Sequence, residues 1–153
     1  MKKTTLALTA VALLSACGGG GSEAPVVPAA DLDPRLAGAW AGTLTVTPRG
    51  YASSSAPGTL EVAVAGRSAT ISKVCPDGTG SVVATGSGRA ATWSGSLACP
   101  PVAVGPCPSV VATLTSANGS LSADGLTLTV DALGSATGCF TTLGVGLRFV
   151  GAK

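Results

Sequence analysis

The sequence predicts an all-β domain, an antiparallel meander of about eight strands that either closes into a small barrel or folds as a two-sheet sandwich. Three observations lead there. Apolar residues alternate with small polar ones over stretches of strand length, turn-forming residues separate those stretches, and no segment between the turns sustains a 3.6-residue apolar period. Such alternation buries one face of a strand and wets the other, which is the pattern of antiparallel sheet.

Asp31-Leu32-Asp33-Pro34 predicts a single helical turn ahead of the first strand. Trp40, Leu44 and Val46 then share one face, opposed by Thr43, Thr45 and Thr47, and Leu60, Val62 and Val64 repeat the pattern. Trp93 and Leu97 stand opposite Thr92, Ser94 and Ser96. Leu126, Leu128 and Val130 alternate with Thr127, Thr129 and Asp131, and Val145, Leu147 and Phe149 alternate with Gly146 and Arg148. Turns are expected at Asp77-Gly78, Gly86-Ser87-Gly88, Asn118-Gly119 and Asp124-Gly125, where a left-handed backbone is cheap for Gly, Asn and Asp.

Aromatic residues make up only 3% of the chain, so Ala, Val and Gly supply a thin core that needs bracing. Cys75, Cys99, Cys107 and Cys139 lie within the β region. Four cysteines allow three pairings, and the turns favour one. A hairpin centred on Ser87 sets Cys75 opposite Cys99, and a hairpin across Asp124-Gly125 sets Cys139 opposite Val110, close to Cys107. The expected disulfides are Cys75 with Cys99 and Cys107 with Cys139. No C-x-x-C and no histidine occur, so zinc is not expected and no metal or cofactor is assigned.

The chain opens with Lys2 and Lys3, an apolar run from Leu6 to Leu14, and the small residues Ser15 and Ala16, the layout of a secretion signal. The run is far shorter than the ~20 residues of a spanning helix. Leu14-Ser15-Ala16-Cys17 resembles the lipobox of bacterial lipoproteins. That resemblance implies removal of residues 1–16 and lipidation of Cys17, with Gly18 similar to the class sorted to the outer membrane. Several acyl chains together give lasting attachment, so the implied partner is the membrane and the implied location the bacterial cell envelope. Residues 17–30 read as a lipidated start followed by a flexible Gly/Pro tether, Gly18–Ser22 and then Glu23–Ala30, with a reach of some 20 Å. Residues 31–153 form the single domain.

Gly38-Ala39-Trp40, at the opening of the first strand, resembles the G-x-W signature of lipocalin-like barrels. The resemblance implies that Trp40 closes one end of the barrel and packs beneath Arg148 in a cation–π contact. The plainer alternative is that Trp40 is core.

With Lys2 and Lys3 removed, seven basic residues face seven acidic ones, scattered singly, and no nucleic-acid partner is expected. Without histidine, the usual neutral-pH base is missing and a Ser/His/Asp or Cys/His nucleophile cannot be assembled. Of the carboxylates, Asp77 and Asp124 belong to turns, and Glu61 and Asp131 sit on the solvent phase of their strands. No catalytic residue is assigned. Two loops stand out: Arg49–Ser55, with the only tyrosine, Tyr51, and the proline-fenced Pro100–Pro106, with Val102 and Val104. Exposed apolar loops are contact sites. The sequence thus predicts a non-catalytic binding module whose rim, Tyr51, Val102 and Val104, receives a small apolar ligand or an envelope protein; the alternative is a structural surface or assembly domain with no pocket.

Overall fold

The computed structural model describes residues 28–104 and 107–153. The expected signal segment, Cys17 and the expected tether up to residue 27 lie outside the described residues. A 3₁₀ turn, Pro34–Leu36, with Asp33 as its N-cap, occupies the position of the expected helical turn. Nine strands follow: β1 (Gly38–Pro48), β2 (Ser54–Ala65), β3 (Ser68–Ser72), β4 (Ser81–Ser87), β5 (Ala90–Ala98), β6 (Val102–Val104), β7 (Cys107–Leu121), β8 (Thr127–Gly138) and β9 (Thr141–Ala152).

The strands form one antiparallel sheet in the order β5-β4-β3-β2-β1-β9-β8-β7-β6, and β5 also pairs with β7. That last pairing closes eight strands into a ring, so the meander is a barrel and not a two-sheet sandwich. Short β6 lies outside the ring, paired with the first residues of β7.

Period-two alternation decides what enters the barrel. Trp40, Val62, Ile71, Val82, Leu121, Leu128 and Phe149 are buried together, with Leu44, Leu60 and Trp93 packed against them. The outer face carries hydroxyls, some joined across strands: Thr45 with Ser55 and Thr47 with Ser53, both at 2.9 Å, and Thr137 with Thr142 at 3.0 Å. An apolar interior under a hydroxyl-rich exterior is the reverse of a lipid-facing barrel.

Three local expectations are corrected. Asn118-Gly119 is not a turn but lies within β7, because Thr92 and Ala91 of β5 pair with it on one side and Asp131 and Val130 of β8 on the other. Ladders on both flanks override the turn preference of the dipeptide. Leu126 does not join Leu128 inside; it belongs to the Asp124-Gly125 turn and is largely exposed. Finally, the β4–β5 hairpin is not centred on Ser87, since Thr85 pairs with Thr92 and Ser87 with Ala90.

Both disulfides have the expected partners. Cys75–Cys99 spans 5.5 Å between Cα atoms, but it joins the β3–β4 loop to the residue after β5 and does not cross a hairpin ladder. The β7–β8 hairpin does hold the register set by Asp124-Gly125, from Leu121–Leu128 to Ser116–Leu133, until a bulge at Thr115 shifts it by one. Cys107–Cys139, with Cα atoms 5.6 Å apart, then ties the start of β7 to the tip of the β8–β9 hairpin.

The barrel wall is uneven. β2 pairs with β3 only over Glu61–Ala65, and β4 pairs with β5 only over Thr85–Ser87. Beyond those points, Ser54–Leu60 of β2 and Trp93–Ala98 of β5 have no strand neighbour on the facing sides. Residues 73–80 span that stretch as a loop closed by Lys73 N–H to Gly80 O (3.0 Å) and Cys75 N–H to Thr79 O (2.9 Å). Gly80 has a φ of +79°, and a Cβ there would fall 2.7 Å from the Cys75 sulfur, so glycine is required where the loop packs on its disulfide.

The disulfides close loops separated by 24 and 32 residues, each worth about 3.5 kcal/mol in the chain-entropy model. The double variant Cys75→Ser/Cys99→Ser is expected to unfold at lower denaturant, with a stability loss of about 3 kcal/mol in urea titration. Retention of the wild-type midpoint would show that the loop is held without the bond.

Candidate functional site

The direction of the meander gives the barrel two unlike ends. At one end lie residues 28–37, the β2–β3, β4–β5 and β7–β8 turns, and the end of β9. At the other lie the β1–β2, β3–β4 and β8–β9 connections, the β5–β7 connection that contains β6, and both disulfides.

The first end is sealed. Leu32 bridges to Gly88, and Asp33 N–H donates to Gly88 O, so the N-terminal segment lies over the β4–β5 turn. Trp40 is completely buried (0% exposed), and its indole N–H donates to Leu36 O at 2.9 Å. The cation above its ring is Lys153, with Nζ 4.6 Å from the centroid and hydrogen-bonded to the carbonyls of Arg35 and Ala37. Arg148 does not take that place. It points outward and faces Asp131 at 3.8 Å, because Phe149 beside it points inward and successive residues of a strand face opposite ways. The same parity puts Lys153 in phase with Val145, Leu147 and Phe149, a signal already present in the sequence.

Arg35 holds this cover in place electrostatically. Its guanidinium contacts both Asp33 oxygens, at 2.7 Å to Oδ2, and donates to Asp124 O at 3.3 Å. The side-chain hydrogen bond from Arg35, and next the Arg35 backbone N–H, hold the Asp33 carboxyl at about 2, below its ordinary 3.8. Asp77 and Asp124 are also lowered, mainly by hydrogen bonds from Thr79 and Ser122. These carboxylates shape turns. The other two carboxylates in strands, Glu61 and Asp131, lie on separate strands of the outer wall and pair with Lys73 (2.6 Å) and Arg148.

The second end carries exposed apolar side chains. Tyr51 is 66% exposed and Val104 55%, with Val102 half-buried beside it. Phe140, which no sequence pattern singles out, is fully exposed at the tip of the β8–β9 hairpin. Gly138 pairs with Thr141, so Cys139 and Phe140 alone make the turn, both left-handed at φ +47° and +66°. A two-residue turn of this kind favours Asn and Gly, and a left-handed backbone costs another residue ~1–2 kcal/mol. Because Cys139-Phe140 is no turn dipeptide, the hairpin tip was not legible. The structure therefore brings Val102 and Val104 next to the Cys107–Cys139 bond and its neighbour Phe140, while Tyr51 stands on the β1–β2 loop at the same end.

Inside the barrel, Trp40 and Leu128 belong to the buried core and Leu44 and Trp93 pack against it. What remains is an apolar cavity of about 60 Å³, bordered by Leu44, Leu60, Val74, Trp93, Val130 and Phe149. That is well below the ~300–1,000 Å³ of sites for drug-sized ligands. Among the described residues, no group of three or more His, Cys, Asp or Glu side chains converges as a metal site.

Comparison of the chain with family models, curated proteins and solved structures returns no match.

The depressed Asp33 value sets a pH dependence. A carboxyl whose folded-state value lies below its unfolded one adds stability above about 3.8, and that stability is lost as pH falls toward about 2. Asp33→Asn is expected to flatten the fall in urea midpoint across that interval while leaving the slope due to the remaining carboxylates; an unchanged profile would remove Asp33 from the seal.

Proposed function

We propose that this chain is a membrane-anchored envelope lipoprotein that acts as a non-catalytic binding module, engaging a partner protein through the apolar rim at the end of the barrel opposite its tether. The observation that carries this reading is the gathering of Tyr51, Val104 and Phe140, all exposed, on the loops of one end. The chain enters the domain at the other end, where residues 31–33 lie on the β4–β5 turn. A tether running back from there to a lipidated Cys17 directs the rim away from the bilayer, toward partners some distance off the surface.

A protein partner suits the rim better than an enclosed small ligand. The interior cavity is small, whereas a rigid exposed aromatic is the side-chain type that anchors protein interfaces. The backbone at Phe140 is held by a two-residue turn and an adjacent disulfide, so little main-chain freedom is lost when the ring is buried. Tyr51 adds a ring with a hydrogen-bonding tip. The hydroxyl-rich outer wall suits water, which leaves the anchor as the means of membrane attachment.

Two measurements test this reading. Cys17→Ser is expected to release the chain from sedimenting membranes, and continued sedimentation would refute the anchor. For the rim, Phe140→Gly relieves the left-handed strain and is expected to raise stability by about 1 kcal/mol, yet to weaken partner recovery from solubilised membranes about tenfold or more. Undiminished recovery with Phe140→Gly and with Tyr51→Ser would leave a structural surface domain as the reading.

A further inference from the structure

The two disulfides stand in unlike surroundings. Cys75 and Cys99 are 5% and 4% exposed, whereas Cys139 is exposed at the β8–β9 tip and its partner Cys107 is half-buried. We infer that Cys107–Cys139 is an exchangeable disulfide: an external dithiol attacks the exposed Cys139 sulfur, and opening of the bond releases the hairpin tip that carries Phe140, while Cys75–Cys99 stays closed. The inference rests on the geometry of the tip and does not draw on the rim reading.

Access is the first support. Exchange requires a thiolate to reach a sulfur atom, so exposure separates exchangeable bonds from inert ones. The second is backbone strain. Cys139 and Phe140 make the whole turn with left-handed backbones, and neither is a residue for which that conformation is cheap. Two such residues in succession persist only where their surroundings hold them. The β8–β9 ladder holds them up to Gly138–Thr141. The last β7–β8 pair is Val110–Gly138, and Cys107 pairs instead with Val104 of β6. Past Val110–Gly138, among the described residues, the disulfide ties the tip to the start of β7. The third support is charge. Residues 100–123 and 132–153 contain no Asp or Glu, and Arg49 is held against β9 by its N–H bond to Gly144 O at 2.8 Å. An approaching thiolate therefore meets no like charge on the strands that bear the bond.

In the exchange, the deprotonated sulfur of the dithiol bonds to Cys139 Sγ, the Cys107–Cys139 bond breaks, and its electron pair leaves on Cys107 Sγ, which takes up a proton from water. The second thiol of the reagent loses its proton and attacks the reagent sulfur of this mixed disulfide, so that Cys139 departs as a thiolate and is protonated in turn. The dithiol gives up two electrons and becomes a disulfide; the two cysteines become thiols.

The test uses the full chain under native conditions. After brief treatment with dithiothreitol, alkylation with N-ethylmaleimide and peptide mass spectrometry are expected to show Cys107 and Cys139 opening at least tenfold faster than Cys75 and Cys99. With glutathione, a monothiol, the mixed disulfide is expected on Cys139. Equal rates, earlier opening of Cys75–Cys99, or an adduct on Cys107 overturns the assignment. Release of the tip is read by amide hydrogen exchange, expected to rise about tenfold over residues 138–144 with β1 to β4 unchanged; an unaltered tip overturns it. Phe140→Gly removes the strain at one of the two turn residues, so the equilibrium with dithiothreitol is expected to shift about tenfold toward the closed bond. Exposure alone would leave that equilibrium unmoved, and an unmoved equilibrium uncouples bond from tip. No arm reads partner recovery, so failure here leaves the rim reading standing, and the reverse holds.

Discussion

Pairing of β5 with β7 is the constraint on which the rest of the molecule depends. The other seven pairings of the ring, six between consecutive strands and one between β1 and β9, would leave an open, strongly twisted sheet with two exposed edges, and this chain has too few large apolar residues to cover one face of it with another layer. Closing the ring removes those edges and lets the sheet cover itself. Small side chains then become an advantage, since a narrow barrel has room for only two tryptophans, one inner phenylalanine and a lining of Leu, Val and Ala. The hydroxyl-bearing residues are left on the convex side, where neighbouring strands splay apart and hydroxyl pairs can form without crowding.

The two ends of the ring solve different problems. At the sealed end, Trp40, Lys153, Arg35 and Asp33 draw the start and finish of the domain together through a cation–π contact, backbone carbonyl capping and an ion pair. None of these contacts is strong by itself at a surface, but they act on the same few residues over a fully buried indole. The opposite end is stiffened covalently. Cys107–Cys139 braces a hairpin tip that presents Phe140, and Cys75–Cys99 pins the loop that replaces missing strand across one side of the wall. A short hairpin in the meander, β3 and β4, thus leaves a gap in the wall that the disulfide-pinned loop covers.

The candidate sites were legible to different degrees. Tyr51, Val102 and Val104 stand out in the sequence because an aromatic and a proline-bounded apolar run are conspicuous in a chain otherwise built from strands and polar turns. Phe140 does not, because nothing in Gly-Cys-Phe-Thr announces a two-residue turn; the pairing of Gly138 with Thr141 forces it. Lys153 and Arg148 show the reverse case. Strand parity counted from Phe149 places Lys153 inward and Arg148 outward, so the cation above Trp40 could be read from the sequence once phase was given more weight than family likeness.

The sequence by itself determined the alternation that gives each strand an inner and an outer face, and the position of the Asp124-Gly125 turn with the register that brings Cys139 near Cys107. These are consequences of period-two geometry and turn chemistry, which act over a few residues. Only the tertiary structure decided that the sheet closes, that Asn118-Gly119 is held straight between two ladders, and that β3 and β4 stop short of the upper wall. Those outcomes depend on which strands become neighbours across long stretches of chain, where main-chain pairing on both flanks outweighs the preference of any dipeptide.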